Sequence, residues 1–244
     1  GLRSYDWTMP EEVNRIVTDS IADYFFTTTE IAGDILKKHG TNPDQIYFVG
    51  NTMIDTLFQN KERLIKPIIW DELGLTDKSY FILTLHRPSN VDNEKNLEII
   101  LNTILSSSAD FKVVFPVHPR TKKILEKMQF QNSRLVQMDP LSYLEFIYLI
   151  NHSKGIITDS GGITEEATVL NIPCITLRNS TERPETVMIG TNELVGSDPD
   201  NLSKYLRKII DGNWKLSAIP ALWDGKTSDR IVEKLISLYG GETS

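Results

Sequence analysis

Polar and charged residues follow four apolar runs of the 244-residue sequence. In an open α/β sheet, ligands bind in the crevice beyond the carboxyl ends of the strands, so residues at these positions are candidates for chemistry. The four segments are rich in histidine, arginine, glutamate and glycine, which suits the recognition of an anionic ligand. They are TLHRPSN (84–90), VHPRT (117–121), TDSGGITEE (158–166) and LRNSTERPE (177–185).

Two glycines occur in the Ser160-Gly161-Gly162 segment, between a predicted strand and a predicted helix. Glycines let the backbone approach a ligand closely, and a helix N-terminus presents free N–H groups to an anion. A tight turn that needs positive φ explains the same glycines equally well. The segment matches neither GxGxxG nor a Walker loop. A phosphate cradle and a tight turn therefore remain alternatives.

Two histidines occupy similar places after predicted strands. His86 is followed by Arg87, and His118 lies two residues before Arg120. A single histidine is more often structural, but an arginine beside it at the end of a strand favours an anion site.

Three further charged residues have structural as well as functional interpretations. Adjacent helical residues point about 100° apart, so at most one of Glu165 and Glu166 should face a ligand. A carboxylate there would suit a ribose diol, although solvated side chains that complement the helix dipole are favoured by the residues alone. Arg183 lies between glutamates, which suggests a local salt bridge. Phe146 lies on an apolar helix face and is predicted to belong to the core, although a flat base could use such a ring.

The positions of these residues depend on an alternation of short apolar runs with amphipathic stretches. This alternation predicts βαβ units, and continuous apolar strands are typical of sheets covered by helices on both faces. We therefore expect an α/β fold with a Rossmann-like doubly wound parallel sheet. The predicted strands are 45–50, 79–85, 111–117, 134–138, 155–159 and 174–178, and the main predicted helices are 52–65, 94–107, 120–128, 140–152, 161–170, 199–211 and 227–239.

The chain divides into three predicted parts. Residues 45–225 are expected to form one doubly wound domain. Helices predicted at 10–26 and 27–40 assign residues 1–44 to a separate N-terminal part. Residues 226–244 contain the last helix, which is expected to cover this domain or reach back toward the N-terminal part.

Composition excludes several classes of function. The net charge of −7 argues against a general nucleic-acid binder, whose surface is basic. No apolar run reaches the roughly 18 residues that a membrane span needs, so no membrane partner and a cytoplasmic location are expected. A single cysteine, Cys174, and the lack of CxxC or HExxH indicate no metal site.

The motifs TDSGGITEEA, LRNSTERPETV, GTNELVG, TLHRPSN, VHPRT, MPEEVNR and GNTMIDTL together resemble those of the non-hydrolysing UDP-N-acetylglucosamine 2-epimerases. The similarity covers nearly the whole chain, in the order found in that family. It implies the GT-B arrangement, in which two Rossmann-like domains face a cleft. Residues 1–44 would then be the tail end of the first domain and residues 45–225 the UDP-binding second domain. The first part of the family pattern is missing from the sequence.

The resemblance implies a UDP site in the second domain. Ser160, Gly161 and Gly162 would hold the diphosphate, and Glu166 would accept the ribose hydroxyls. Phe146 and its neighbouring backbone would contact the uracil.

The resemblance also implies roles nearer the sugar. His86 would lie over the diphosphate and take part in catalysis, with Arg87 and His118 close by. Arg183 would lie at the phosphates or the sugar. Glu11 of PEEVNR would face the sugar and serve in proton transfer.

The implied reaction inverts C2 of UDP-N-acetylglucosamine by eliminating UDP and adding it back, which gives UDP-N-acetylmannosamine for polysaccharide biosynthesis. It needs a base, an acid and cations that stabilise the leaving diphosphate, but no cofactor and no metal. A homodimer is implied as well. The chain is expected to bind UDP weakly and to be poorly active alone.

Two departures from the family pattern concern the substrate. The segment at 86–90 reads HRPSN rather than HRREN, and Pro119-Arg120 replaces Asn-Pro. Both are similar to a subgroup that includes enzymes of related UDP-sugars, which leaves open the sugar and a UDP-N-acetylglucosamine effector site. A GT-B glycosyltransferase, a non-catalytic nucleotide-binding module and a hydrolysing relative are the alternatives.

Overall fold

The computed structural model of the chain describes residues 1–7 and 9–240. Within those ranges the strands are β1 (Phe25–Thr27), β2 (Ile46–Phe48), β3 (Tyr80–Thr84), β4 (Lys112–Pro116), β5 (Leu135–Met138), β6 (Gly155–Thr158), β7 (Cys174–Thr176) and β8 (Asn192–Leu194). The α-helices are α1 (Pro10–Ile21), α2 (Glu30–Lys38), α3 (Thr52–Asn60), α4 (Ile68–Glu72), α5 (Pro88–Val91), α6 (Glu94–Ser107), α7 (Pro119–Met128), α8 (Tyr143–His152), α9 (Gly161–Val169), α10 (Pro184–Met188), α11 (Pro199–Ile210) and α12 (Thr227–Tyr239). Short 3-10 helices cover Pro43–Gln45 and Lys61–Arg63.

The main sheet has six parallel strands in the order β5-β4-β3-β6-β7-β8. The chain runs outward from β3 to β5 and then returns to place β6 beside β3. This is the strand order of a doubly wound Rossmann-like sheet, whose ligand crevice lies where the order reverses. The predicted fold class is confirmed, and the crevice lies between the ends of β3 and β6.

Apolar side chains cover both faces of the sheet. Along β3, Tyr80 and Ile82 belong to one buried cluster, while Phe81 and Leu83 belong to a second cluster on the opposite face. Successive strand residues point to opposite faces, so a strand buried on both sides must be apolar throughout. This explains the continuous apolar runs of the sequence.

The region before the main sheet differs from the prediction in two ways. The predicted helix 10–26 is wrong at its end, because α1 stops at Ile21 and the aromatic Phe25-Phe26 pair forms β1. Aromatic and β-branched residues favour strands, and three threonines follow this pair. The strand predicted at 45–50 is present as β2, but it pairs with β1 rather than with the main sheet. The domain limits at residues 44 and 225 stay predictions.

The last helix, α12, packs onto the N-terminal third of the chain. The Asp55 carboxylate accepts hydrogen bonds from the backbone N–H groups of Thr227 and Ser228, at 3.0 and 2.6 Å. Farther along α12, the ring of Tyr239 meets that of Tyr24 edge to face, with centroids 6.1 Å apart. Residues 241–244 of the predicted segment 226–244 lie outside the described residues.

Candidate active site

The ends of β3 and β6 are joined by one buried carboxylate, that of Asp159. Its oxygens accept hydrogen bonds from the backbone N–H groups of His86 and Arg87, the latter at 2.9 Å, and from the Asn90 side chain at 3.1 Å. The Arg87 Nε in turn donates to the Asp159 carbonyl at 3.0 Å. The carboxylate thus fixes the HRPSN segment at the switch point of the sheet.

The ring of His86 also binds this carboxylate. Its Nδ1 lies 2.7 Å from Asp159 Oδ1, while the His86 side chain is 46% exposed. Burial alone would raise the pKa of Asp159. The hydrogen bond and the charge of the His86 ring, and the hydrogen bonds from Arg87 N–H and the Asn90 side chain, hold this pKa below its usual value. Asp159 is therefore an anion beneath a half-exposed ring.

His86 and Arg87 line a cleft of about 410 Å³ that also includes Asp6, Met9 and Glu11. Glu11 lies exposed in the first turn of α1, and its charge acts on the guanidinium of Arg87. The structure therefore brings two predicted catalytic residues, Glu11 and His86, to one cleft.

Glu12, the neighbour of Glu11, has a different place. Its carboxylate accepts hydrogen bonds from Ser4 N at 2.9 Å, from Tyr5 N at 3.1 Å and from Arg15 Nη2 at 2.6 Å. Burial opposes ionisation, but these donors lower the pKa of Glu12 to about 2. Glu12 fastens the first residues of the chain to α1, so of the two adjacent glutamates it is Glu11 that lines the cleft, together with Asp6.

The Ser160-Gly161-Gly162 segment forms the N-terminus of α9, with Ser160 as the N-cap. Neither glycine has a positive φ, so the tight-turn explanation is wrong. Close packing explains Gly161 instead, because a Cβ there would lie 2.6 Å from Arg183 Nη1 and 2.8 Å from Glu182 Oε1. The Ser160 side chain makes no capping hydrogen bond. The first N–H groups of α9 thus lie beside an arginine and directly after Asp159 at the end of β6, as an anion site requires.

Arg183 belongs to a buried ion network rather than to a single local salt bridge. Its Nε lies 2.9 Å from Glu165 Oε1, and its Nη1 contacts Glu182. Glu182 also pairs with Arg178 at 2.7 Å, and Asn51 donates to Glu165 at 2.9 Å. The interpretation of Glu165 as a solvated side chain is wrong, since it is 3% exposed and holds Arg183 against α9.

Glu166 points toward the start of α8. It is 6% exposed, and its polar partner is the hydroxyl of Tyr143, the first residue of that helix. Burial, reinforced by the charge of Glu165, raises the pKa of Glu166 to about 7. Phe146, one turn along α8, is half-buried against the core, as its pattern predicted. Glu166 on α9 and Phe146 on α8 thus belong to two helices that meet through the contact between Glu166 and Tyr143.

His118 follows β4 and caps α7, where its Nδ1 accepts from Arg120 N at 3.3 Å. Its ring centroid lies 6.4 Å from that of His86, so the two predicted histidines are neighbours, and His86 is the one of the two that lines the cleft. Arg120 instead pairs with Asp92 at 2.6 Å.

Several site residues were missed in the sequence. Asp159 lies within TDSGG and Arg178 within LRNST, where an acid or base directly after a predicted strand was a usable signal. Asn51, which caps α3, gave no such signal, because its partner Glu165 lies 114 residues away.

Within the described ranges, no three histidine, cysteine, aspartate or glutamate side chains are grouped as a metal site. None of the helices found there combines the length and apolar character that crossing a bilayer requires.

The fold and the crevice define a Rossmann-like unit of the GT-B type, and comparisons with known proteins identify its family. The family model for UDP-N-acetylglucosamine 2-epimerase matches residues 1–236. The UDP-N-acetylglucosamine 2-epimerase of Methanocaldococcus jannaschii is 41% identical over 98% of this chain and 67% of that protein. A crystal structure of the M. jannaschii UDP-GlcNAc 2-epimerase in complex with UDP-GlcNAc and UDP matches with a TM-score of 0.85 and 41% identity, covering 97% of this chain and 67% of that one.

A relative with another substrate is also similar. The UDP-2,3-diacetamido-2,3-dideoxy-D-glucuronate 2-epimerase of Pseudomonas aeruginosa is 38% identical over 98% of this chain and 66% of that protein. The chain therefore spans about two thirds of the length of these relatives. It belongs to the UDP-N-acetylglucosamine 2-epimerase family, whose members of that name are isomerases.

Proposed function

We propose that this protein is a UDP-N-acetylglucosamine 2-epimerase that interconverts UDP-N-acetylglucosamine and UDP-N-acetylmannosamine. The observation that carries the proposal is that Glu11 and the HRPSN segment line one cleft, while Asp159, which binds the backbone of that segment, directly precedes Ser160, the N-cap of α9. The relative from M. jannaschii, similar over nearly the whole chain, holds UDP-GlcNAc and UDP in its crystal structure.

In this proposal the diphosphate binds at the N-terminus of α9. Ser160, Gly161 and Gly162 supply backbone N–H groups and a hydroxyl that does not cap the helix. Arg183, held beside Gly161 by Glu165, contributes positive charge. A helix N-terminus and an arginine together favour a phosphate, because both place donors and positive charge at the same point.

The uridine binds between α8 and α9. The Glu166 carboxylate accepts hydrogen bonds from the two ribose hydroxyls, which provide a polar partner beyond Tyr143. The backbone near Phe146 and the Phe146 ring contact the uracil. A buried carboxylate with few donors is suited to a diol, since each hydroxyl brings one donor.

The chemistry needs proton transfer at C2 and departure of UDP from C1. A base removes the C2 proton, the electron pair forms the C1–C2 double bond, and the C1–O bond breaks with its pair going to UDP. Protonation of C2 on the opposite face and re-addition of UDP complete the inversion. Glu11 is proposed for proton transfer, while His86, Arg87 and His118 stabilise the diphosphate as charge develops on it.

An epimerase of a related UDP-sugar is the second candidate, favoured by the HRPSN segment and by the similarity to the P. aeruginosa enzyme. The remaining parts of the proposal are a homodimer and a cytoplasmic location, where a soluble nucleotide-sugar would be available.

The test is incubation with each UDP-sugar in D2O. Deuterium at C2 together with the C2 epimer, still bound to UDP, supports the proposal. Release of free N-acetylmannosamine would indicate a hydrolysing enzyme instead, and transfer of the sugar to an acceptor without exchange at C2 would indicate a glycosyltransferase. Faster exchange with the diacetamido-glucuronate substrate would favour the second candidate.

A further inference from the structure

The Asp159 carboxylate accepts more hydrogen bonds than its anchoring role at the strand ends requires. Two backbone N–H groups and the Asn90 amide already hold the HRPSN segment. The fourth donor is the His86 ring, whose Nδ1 lies 2.7 Å from Oδ1. Asp159 is fully buried, whereas the ring is 46% exposed and lines the cleft. The Asp159 carboxylate therefore holds both the backbone and the ring of His86 in place.

A carboxylate that is ionised can only accept hydrogen bonds. Whenever the His86 ring is neutral, it must then carry its proton on Nδ1, and Nε2 is the nitrogen left for the cleft. We propose that Asp159 is a positioning residue, which holds His86 in the Nδ1–H form and presents Nε2 to the diphosphate end of the UDP-sugar. This inference rests on the proposed function for the identity of the ligand, but the state of the ring does not depend on it.

The chain contains a matched arrangement far from the cleft. His152 Nδ1 lies 3.0 Å from Asp77 Oδ1, but the Asp77 side chain is 64% exposed. This pair lies where the chain enters β3 and β6, at the amino ends of the strands. It provides an internal control with the same two residue types and no place in the proposed site.

Long-range ¹H–¹⁵N NMR of the four histidine rings tests the proposal directly. The expected result is an Nδ1–H tautomer for neutral His86. In Asp159→Asn, the amide group cannot accept from all four donors, so the Nε2–H form should become the major tautomer. Asp77→Asn should change the spectrum of His152 and leave that of His86 unchanged. A wild-type His86 that carries its proton on Nε2 would overturn the proposal, and this outcome needs no variant to fold.

Kinetics separate positioning from a structural role. We expect Asp159→Asn to lower kcat by about 100-fold, the scale of a misplaced acid–base or electrostatic group, while the dissociation constant of UDP changes by less than about threefold. In a His86→Gln background the same substitution should lower kcat by less than about tenfold further, because the part of the loss that passes through the ring is already gone and only the disturbed backbone of the HRPSN segment contributes. An undiminished 100-fold loss in that background, or a folded Asp159→Asn variant with wild-type kcat, would overturn the inference.

Failure of the two proposals can be told apart. If UDP does not bind the wild-type chain, the proposed function fails whatever the tautomer of His86. If UDP binds and epimerisation occurs, but the ring is in the Nε2–H form, the positioning role alone fails.

Discussion

The ionised Glu166 side chain should lower the free energy of unfolding of the chain and raise its affinity for UDP. Its carboxyl is 6% exposed and has a pKa of about 7, against an ordinary value of 4.5. A carboxyl with a raised pKa in the folded state costs nothing below pH 4.5, where both states are protonated. Its cost grows as the pH rises and is complete above pH 7. Since one pKa unit corresponds to about 1.4 kcal/mol, Glu166 should destabilise the folded chain at pH 8 by about 3 kcal/mol.

The perturbation is Glu166→Gln, which keeps the shape and removes the charge. We expect the variant to gain up to about 3 kcal/mol in free energy of unfolding at pH 8 and almost nothing at pH 4.5. Urea denaturation at the two pH values measures both differences. Glu126→Gln, on the exposed side of α7, is the matched control and should change neither value by more than about 0.5 kcal/mol.

Glu166→Gln should also weaken UDP binding by about 10- to 100-fold at pH 8, because hydrogen bonds to an ionised group are each worth about 1.5–3 kcal/mol. Below pH 7 the wild-type affinity should fall by up to about tenfold per pH unit, as Glu166 takes up a proton. The phosphate of UDP titrates in both proteins, so the difference between wild type and variant isolates Glu166. A variant that binds UDP within twofold of wild type and is no more stable at pH 8 would refute this reasoning.

Three further predictions concern other parts of the chain. Burial raises the pKa of Glu185 to about 7, as it does for Glu166. Glu185→Gln should therefore raise the free energy of unfolding at pH 8 by about 3 kcal/mol in urea titrations, but it should leave UDP affinity unchanged. Gly161→Ala should weaken UDP binding at least about tenfold by displacing Arg183, whereas Gly33→Ala, where a Cβ meets nothing closer than 3.4 Å, should leave calorimetric affinity unchanged. Asp55→Asn should lower the free energy of unfolding by about 2 kcal/mol through loss of charged hydrogen bonds to the start of α12, and a loss below about 0.5 kcal/mol would contradict that role.

Elements with a strong local pattern could be predicted from the sequence. The helix predicted at 94–107 coincides with α6, because Asn93 caps it and Leu97, Ile100 and Ile104 repeat at helical spacing on its buried face. The strand β8 was missed, since Asn192–Leu194 is short and two-thirds polar, and pairing with β7 rather than composition creates it.

Site residues that directly follow a predicted strand could be predicted from the sequence. Site residues whose role depends on partners far away in the chain could not. His86 lies at the cleft, as its position after a strand indicated, and the centroid of the His118 ring lies 6.4 Å from that of His86. The burial of Glu165 could not be predicted, because it depends on Asn51 and on Arg183, which belong to other parts of the chain. The reason for Gly161 was also hidden, since its contact with the Arg183 side chain leaves no mark in the local sequence.

We expect the crevice between β3 and β6 to bind a uridine diphosphate. A calorimetric titration of UDP into the chain, with ADP and a Glu166→Ala variant as controls, measures this binding. We predict one UDP site per chain, affinity for ADP at least about tenfold weaker, and a loss of at least about tenfold for UDP in the variant. Equal affinity for UDP and ADP, or UDP binding that is indifferent to the loss of Glu166, would contradict it.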